Sequence, residues 1–167
     1  LKNGDLLSID FGTLLDGYHG DVAITIPIGR VSRKADRIYR ITESALYKGI
    51  YQAKPGNYIS DISRAIENYV KRKGFHVVKD FRGHGVGKYL HEKPPVNNFT
   101  GLWRGLKIKP GMVIAIEPMS CEKSSDVLTL KDGWTTVTKR GGLAAHFEHT
   151  ILITEEGPEI LTKLLDN

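Results

Sequence analysis

Cysteine is almost absent. Cys121 stands alone among 167 residues, which excludes an internal disulfide framework and fits a reducing compartment. No uninterrupted apolar run approaches the roughly 18 residues of a membrane helix. Leu1 to Asp10 lacks the charged-then-apolar stretch of a secretory signal. Internal repeats, low-complexity stretches and flexible linkers are missing too, so the length reads as one globular domain. Positive charge is in modest excess, 24 Lys+Arg against 19 Asp+Glu for a net +5. The only basic run, Lys71-Arg72-Lys73, has no interleaved aromatic residues. It reads as the surface of a mildly basic cytoplasmic protein, with no membrane and no specific nucleic acid as partner. Several catalytic signatures are lacking as well. There is no Gly-x-Ser-x-Gly elbow. The stretch Gly83 to Gly87 lacks the Lys-Ser/Thr ending of a phosphate loop. No second histidine follows His91-Glu92 at helical zinc spacing. Cys121 sits in no motif and reads as a packed or surface thiol.

Short elements punctuated by glycine and proline fill the chain. Leu6 to Gly12 and Asp21 to Ile28 read as strands around Asp16-Gly17, a hairpin signal. Ser32 can cap a helix whose apolar positions Ala35, Ile38, Ile41, Ala45 and Leu46 fall on one face, and Pro55-Gly56 stops it. A second helix spans about Ser60 to Lys73, with Ile62, Ala65, Ile66, Tyr69 and Val70 inward and Gly74 past its end. A glycine-rich stretch, Gly83 to Gly87, and Pro94-Pro95 follow. Met112 to Glu117 reads as a buried strand. Val127 to Leu130 and Trp134 to Thr138 flank the turn Asp132-Gly133, and Phe147 to Thr154 is the last strand. Leu161 to Asn167 reads as a frayed end. Strands, then helices, then strands imply an α+β fold, with helices packed on a mostly antiparallel sheet.

The carboxylates carry the chemistry. If Asp16-Gly17 centres the first turn, Asp10 faces Ala23 and Gly12 faces Asp21. Side chains alternate along a strand, so Asp10 and Asp21 lie diagonally on one face, with open space at Gly12. The other face carries Leu7, Ile9, Phe11, Val22, Ile24 and Ile26 and is expected to make core. Two anions that close repel, and burial raises the cost, so a cation between them is the simplest compensation. Two ordinary solvent-facing aspartates are the alternative. Glu117 ends the apolar run Met112 to Ile116, and Glu148 lies in the run from Ala144 to Ile153. A carboxylate inside such a run requires a partner. With His84, between Gly83 and Gly85, these residues form an oxygen-rich set suited to a pair of divalent ions. His19, His76, His146 and His149 read as structural or solvated.

Five blocks, in order over nearly the whole chain, resemble the type I methionine aminopeptidases. They are Ile9-Asp10; Asp16-Gly17-Tyr18-His19-Gly20-Asp21; Gly83 to Gly87 with His91-Glu92-Lys93-Pro94; Ile116-Glu117-Pro118-Met119; and Phe147-Glu148-His149-Thr150. The resemblance implies the pita-bread fold, with residues 1–167 as a single metallopeptidase catalytic domain. It implies two divalent metal ions, Co, Mn, Fe or Zn. Asp10 would bind one and His84 and Glu117 the other, while Asp21 and Glu148 would bridge both. A metal-bridging water or hydroxide would then attack the carbonyl after the first residue of a peptide. Glu117 would shuttle the proton, His91 would contact the substrate carbonyl, and Trp134 would stand at the rim of the methionine pocket. The implied substrates are nascent chains with N-terminal methionine, and the ribosome is a candidate partner. Proline-specific peptidases share the five ligands, so an Xaa-Pro peptidase is one alternative; a non-catalytic binding module of the same fold is another.

The match also has departures. Leu90 stands where the family often has phenylalanine, and His146 where it often has glutamine. The resemblance begins just before the family's first metal-binding strand, and the first residue is Leu1 rather than methionine. This implies that roughly the first third of the family's domain is absent from this sequence. An apolar surface and a strand edge are then expected to lie open, where a second copy could associate.

Overall fold

The computed structural model describes residues 1–163. The frayed end expected at Leu161 to Asn167 therefore lies largely outside the described residues. The first hairpin forms as the turn signal requires. Strands β1 (Leu6–Leu15) and β2 (Tyr18–Pro27) pair antiparallel with Asp10 opposite Ala23 and Gly12 opposite Asp21. Asp16 and Gly17 both take positive φ, 49° and 83°, as a tight two-residue turn demands.

Helix α1 (Arg33–Gln52) starts at Ser32, whose Oγ accepts the Ala35 N–H at 3.1 Å. Helix α2 (Ile59–Arg72) starts after Tyr58, whose N–H donates to the Asp61 carboxylate at 2.8 Å. The two helices cross closely at Gly49, where a Cβ would lie 2.9 Å from Ile66 Cδ1. On α2 the inward residues are Ile62, Ile66 and Val70; Ala65 and Tyr69 are only half-buried. No helix among the described residues is long and apolar enough to cross a membrane.

The remaining elements are β3 (His76–Val77), β4 (Arg82–Gly85), β5 (Glu92–Asn97), β6 (Val113–Ile116), β7 (Met119–Cys121), β8 (Val127–Thr129), β9 (Thr136–Thr138), β10 (Ala144–His146), β11 (Glu148–Ile153) and β12 (Pro158–Ile160). They form a seven-stranded sheet in the order β1-β2-β11-β6-β4-β5, with β12 also on β11, a three-stranded sheet β10-β7-β3 and a hairpin β8-β9. Every pairing is antiparallel. The β4 and β5 strands come from the glycine- and proline-rich stretches. Pro94-Pro95 is tolerated because β5 lies at a sheet edge, where missing N–H donors cost little.

The core lies between the helices and one face of the large sheet. Ile38, Leu46, Ile62 and Ile66 pack with Val96, Ile114, Ile116, Ile151 and Ile153. Alternation then turns Glu148 and Thr150 of β11 to the opposite face. The expected division of the first hairpin is reversed. Asp21, Ala23 and Thr25 form the buried face, whereas Ile9 (40 % exposed), Phe11 (57 %) and Ile24 (44 %) are open. The cause is tertiary: β10 of the second sheet packs against the aspartate side, where Glu148 of the adjoining β11 also points, whereas the described elements cover the apolar side only in part, leaving Val22 and Ile26 half-buried. Strand β1 is also a sheet edge, so the expected open surface and open edge occur together.

Candidate metal centre

One row of residues across three strands builds the centre. Asp10 on β1 is opposite Ala23 on β2, and Ala23 is opposite Glu148 on β11. Paired residues share a face, so the two carboxylates flank a methyl group and can reach toward each other above it. Asp21 joins from two residues along β2. Its backbone is fixed at β11, where its N–H donates to Thr150 Oγ1 at 2.9 Å and its carbonyl accepts from that hydroxyl at 2.8 Å. The space left by Gly12 is partly filled, because a Cβ there would meet Leu90 Cδ1 at 2.9 Å.

His84 enters between two glycines for a steric reason. A Cβ at Gly83 would strike the carbonyl oxygen of Ala115 on β6, and one at Gly85 the carbonyl oxygen of Lys93 on β5. Only glycine lets β4 press this close to its neighbours. The His84 Nδ1 lies 3.0 Å from the Gly85 carbonyl oxygen. A carbonyl can only accept, so Nδ1 carries the hydrogen and Nε2 presents a lone pair to the site. That nitrogen is 3.5 Å from Asp21 Oδ2 and 3.8 Å from Glu117 Oε1.

Glu117 and Glu148 occupy the two creases where chain segments leave one sheet for the other. Glu117-Pro118 joins β6 to β7, and Phe147 joins β10 to β11. Both carboxylates are buried, Glu117 8 % and Glu148 2 % exposed. Glu148 Oε1 has no hydrogen-bond partner. Burial, with the neighbouring carboxylates, pushes the Glu117 carboxyl up to about 8 and that of Glu148 up to about 9. Burial raises Asp10 as well, while the same effect lowers His84.

Two sets of donor atoms result, each with its members within 4.8 Å of one another: Asp21, His84 and Glu148, and Asp10, His146 and Glu148. Glu148 belongs to both. This donor set suits a pair of divalent cations. The oxygens are hard, each group holds one imidazole, and the unpartnered Glu148 oxygen and raised carboxyl pKa values mark negative charge lacking a counter-ion.

The structure thus brings together Asp10, Asp21, His84, Glu117 and Glu148. His91 lies beside them in the turn before β5, its ring 4.2 Å from that of His84. Trp134 is not in the cluster. It sits in the β8–β9 turn, 89 % exposed, where its N–H donates to Asp132 Oδ1 at 3.0 Å. Reading His146 as structural or solvated needs correction, because it faces the cluster. Its Nε2 is 3.7 Å from Glu117 Oε2 and its Nδ1 3.9 Å from Asp10 Oδ2. Burial pushes its pKa down to about 4, so the ring is neutral. A signal was there: His146 stands two residues before Glu148, the spacing that puts both on one face. His149 is structural, its Nδ1 2.9 Å from Thr162 Oγ1. Cys121 is buried and its thiol pushed up to about 11, which makes it unreactive.

A curled antiparallel sheet backed by two helices, with carboxylates and imidazoles converging on its open face, defines the pita-bread fold with a candidate metal centre. Solved structures agree. A methionine aminopeptidase from Thermotoga maritima superposes with a TM-score of 0.95 at 44 % identity, covering 98 % of this chain and 66 % of that one. A prolidase from Pyrococcus furiosus superposes at 0.76 and 29 % identity, covering 99 % and 43 %. The sequence pattern of metallopeptidase family M24 matches residues 1–155, and the chain belongs to that family. Among curated relatives, methionine aminopeptidase 1 of Bacillus subtilis is 51 % identical over 164 residues, 98 % of this chain and 66 % of the relative. The chain spans about two thirds of the length of such relatives.

Proposed function

We propose that this protein is a dinuclear metalloaminopeptidase that removes N-terminal methionine from peptides and nascent proteins. The observation that carries the reading is the sharing of buried Glu148 between two donor groups, each with its own imidazole. Residues 1–167 are read as one catalytic unit. Asp10 is assigned to one cation, His84 and Glu117 to the other, and Asp21 and Glu148 to both. Bound divalent ions, of which Co, Mn, Fe and Zn all suit this set, would acidify a water and polarise the scissile carbonyl.

The chain's own residues supply the rest. The Gly85 carbonyl holds the His84 tautomer, so Nε2 stays a lone-pair donor. Glu117 is assigned as proton carrier between water and the departing amine. Its carboxyl sits between two imidazoles, within reach of both sides of the cluster. His91, at the open side beside His84, is assigned to the substrate carbonyl oxygen, to which a ring N–H can donate. Trp134, unpacked at its hairpin tip, is assigned to the rim of the methionine pocket. Nascent chains place the protein in the cytoplasm, with the ribosome as a partner, and the open β1 edge with Phe11 and Ile24 fits self-association.

The test is release of methionine from a Met-Gly peptide in Mn²⁺ or Co²⁺, beside an Xaa-Pro peptide. Methionine release that exceeds Xaa-Pro cleavage is expected. Preference for Xaa-Pro would move the protein to the prolidase branch. No turnover with cations bound would leave a binding module.

A further inference from the structure

His146 is the one imidazole of the cluster for which the five-ligand reading has no role. Its backbone is clamped on both sides by one hydroxyl: the His146 N–H donates to Thr25 Oγ1 at 2.8 Å, and Thr25 Oγ1 donates to the His146 carbonyl at 2.7 Å. Thr25 is fully buried. The ring is therefore aimed by the fold, between Asp10 and Glu117, at 3.9 and 3.7 Å. Both distances exceed the roughly 2.7–3.2 Å of a hydrogen bond, so neither carboxylate satisfies it.

Two buried atoms in this small space lack partners, His146 Nε2 and Glu148 Oε1. A buried polar atom without a partner is costly to the fold. A direct hydrogen bond from the ring to either carboxylate would close to contact distance, which the 3.9 and 3.7 Å separations do not reach. A cation held among these side chains would satisfy a ring nitrogen and a carboxylate oxygen together. The donors Asp10, His146 and Glu148 lie within 4.8 Å of one another, just as Asp21, His84 and Glu148 do.

We propose that His146 is a sixth ligand of the metal centre, adding an imidazole nitrogen to Asp10 and Glu148 as His84 adds one to Asp21 and Glu148. This rests on reading the cluster as a cation site. The second nitrogen makes the donor set softer and shifts preference from Mn²⁺ toward Co²⁺ and Zn²⁺.

The experiment is a Zn²⁺ titration of the protein followed by two-bond ¹H–¹⁵N correlation of the histidine rings. The ring nitrogens of both His84 and His146 should shift as the cations bind. Movement of His84 alone overturns the proposal and leaves the cation site standing. If neither ring moves, the cation reading itself fails. Calorimetry with Co²⁺ on His146→Gln gives a second readout. One binding event should persist while the other weakens at least about tenfold, with a smaller Co²⁺-over-Mn²⁺ preference. An isotherm unchanged from that of the parent overturns the proposal.

Discussion

Raising the pH of the metal-free protein from 6.5 to 9 should destabilise it, and the centre is the reason. In the folded protein the Glu117 carboxyl keeps its proton up to about 8 and Glu148 up to about 9, against an ordinary value of 4.5. Between those limits the folded state binds more protons than the unfolded one. Stability therefore falls as pH rises, by about 1.4 kcal/mol per pH unit for each such group. Below 6.5 the fall is masked. His84, His146 and His149 have lowered pKa values, so the unfolded state binds more protons at those positions and stability rises with pH there. Above 6.5 the unfolded-state histidines give up their remaining protons, an opposing rise of about 1 kcal/mol in all, and beyond about pH 7.5 only the carboxyls act. Glu117 and Glu148 repel one another and do not contribute independently, so the loss to pH 9 is about 3–5 kcal/mol. Asp10, more than half exposed, adds little through solvent screening.

For a chain of this size that loss lowers the melting temperature by on the order of 10 °C. Overall charge works the other way. The chain is +5 at neutral pH, and deprotonation toward pH 9 relieves repulsion. Thermal melts in chelator at the two pH values measure the effect, and the same melts with saturating Mn²⁺ supply the control. A bound cation favours ionised carboxylates, so the fall should vanish and metal binding should release protons. Metal-free melts that coincide at pH 6.5 and 9 would refute the account of buried, uncompensated charge. A fall of equal size with and without metal would refute its assignment to this cluster.

Glu148→Gln removes the shared charge. Metal-free stability at pH 9 should rise, while calorimetry should show weakened uptake of both cations; loss of only one would show that Glu148 is not shared. Gly83→Ala drives a Cβ into the Ala115 carbonyl and should cost about 1–3 kcal/mol in denaturant titration, together with a drop in metal affinity because β4 carries His84. Ile62→Ala, at a fully buried position between the helices and the sheet, should cost about 2–5 kcal/mol in the same assay and leave metal affinity unchanged once folded.

Local signals in the sequence carry the first hairpin and the helices. The Asp16-Gly17 turn fixes the register, and register alone puts Asp10 and Asp21 on one face. Ser32 and the three-and-four spacing of apolar residues fix α1. What local pattern cannot carry is which face of the hairpin is buried. Its face of Ile9, Phe11 and Ile24 is the more apolar, yet the aspartate face is the one against which β10 packs and which Glu148 of the adjoining β11 shares. Burial follows the neighbours supplied by distant segments, and here those neighbours bring Glu148 and His146. Strands β4 and β5 escape detection for a related reason. Glycine and proline weaken strand propensity, but the close approach at Gly83 and Gly85 is what admits His84 between β5 and β6.

The same physics explains why His146 is harder to read than Glu148. A glutamate in an apolar run announces itself, because a buried carboxylate without a partner is too costly to be incidental. A histidine in that run can sit there neutral at little cost, so its chemistry shows only when its neighbours are known. The Thr25 hydroxyl aims the ring from 121 residues away in sequence. The residues that make a metal centre by charge are thus visible one by one, whereas a neutral ligand becomes visible only through the atoms left unpaired around it.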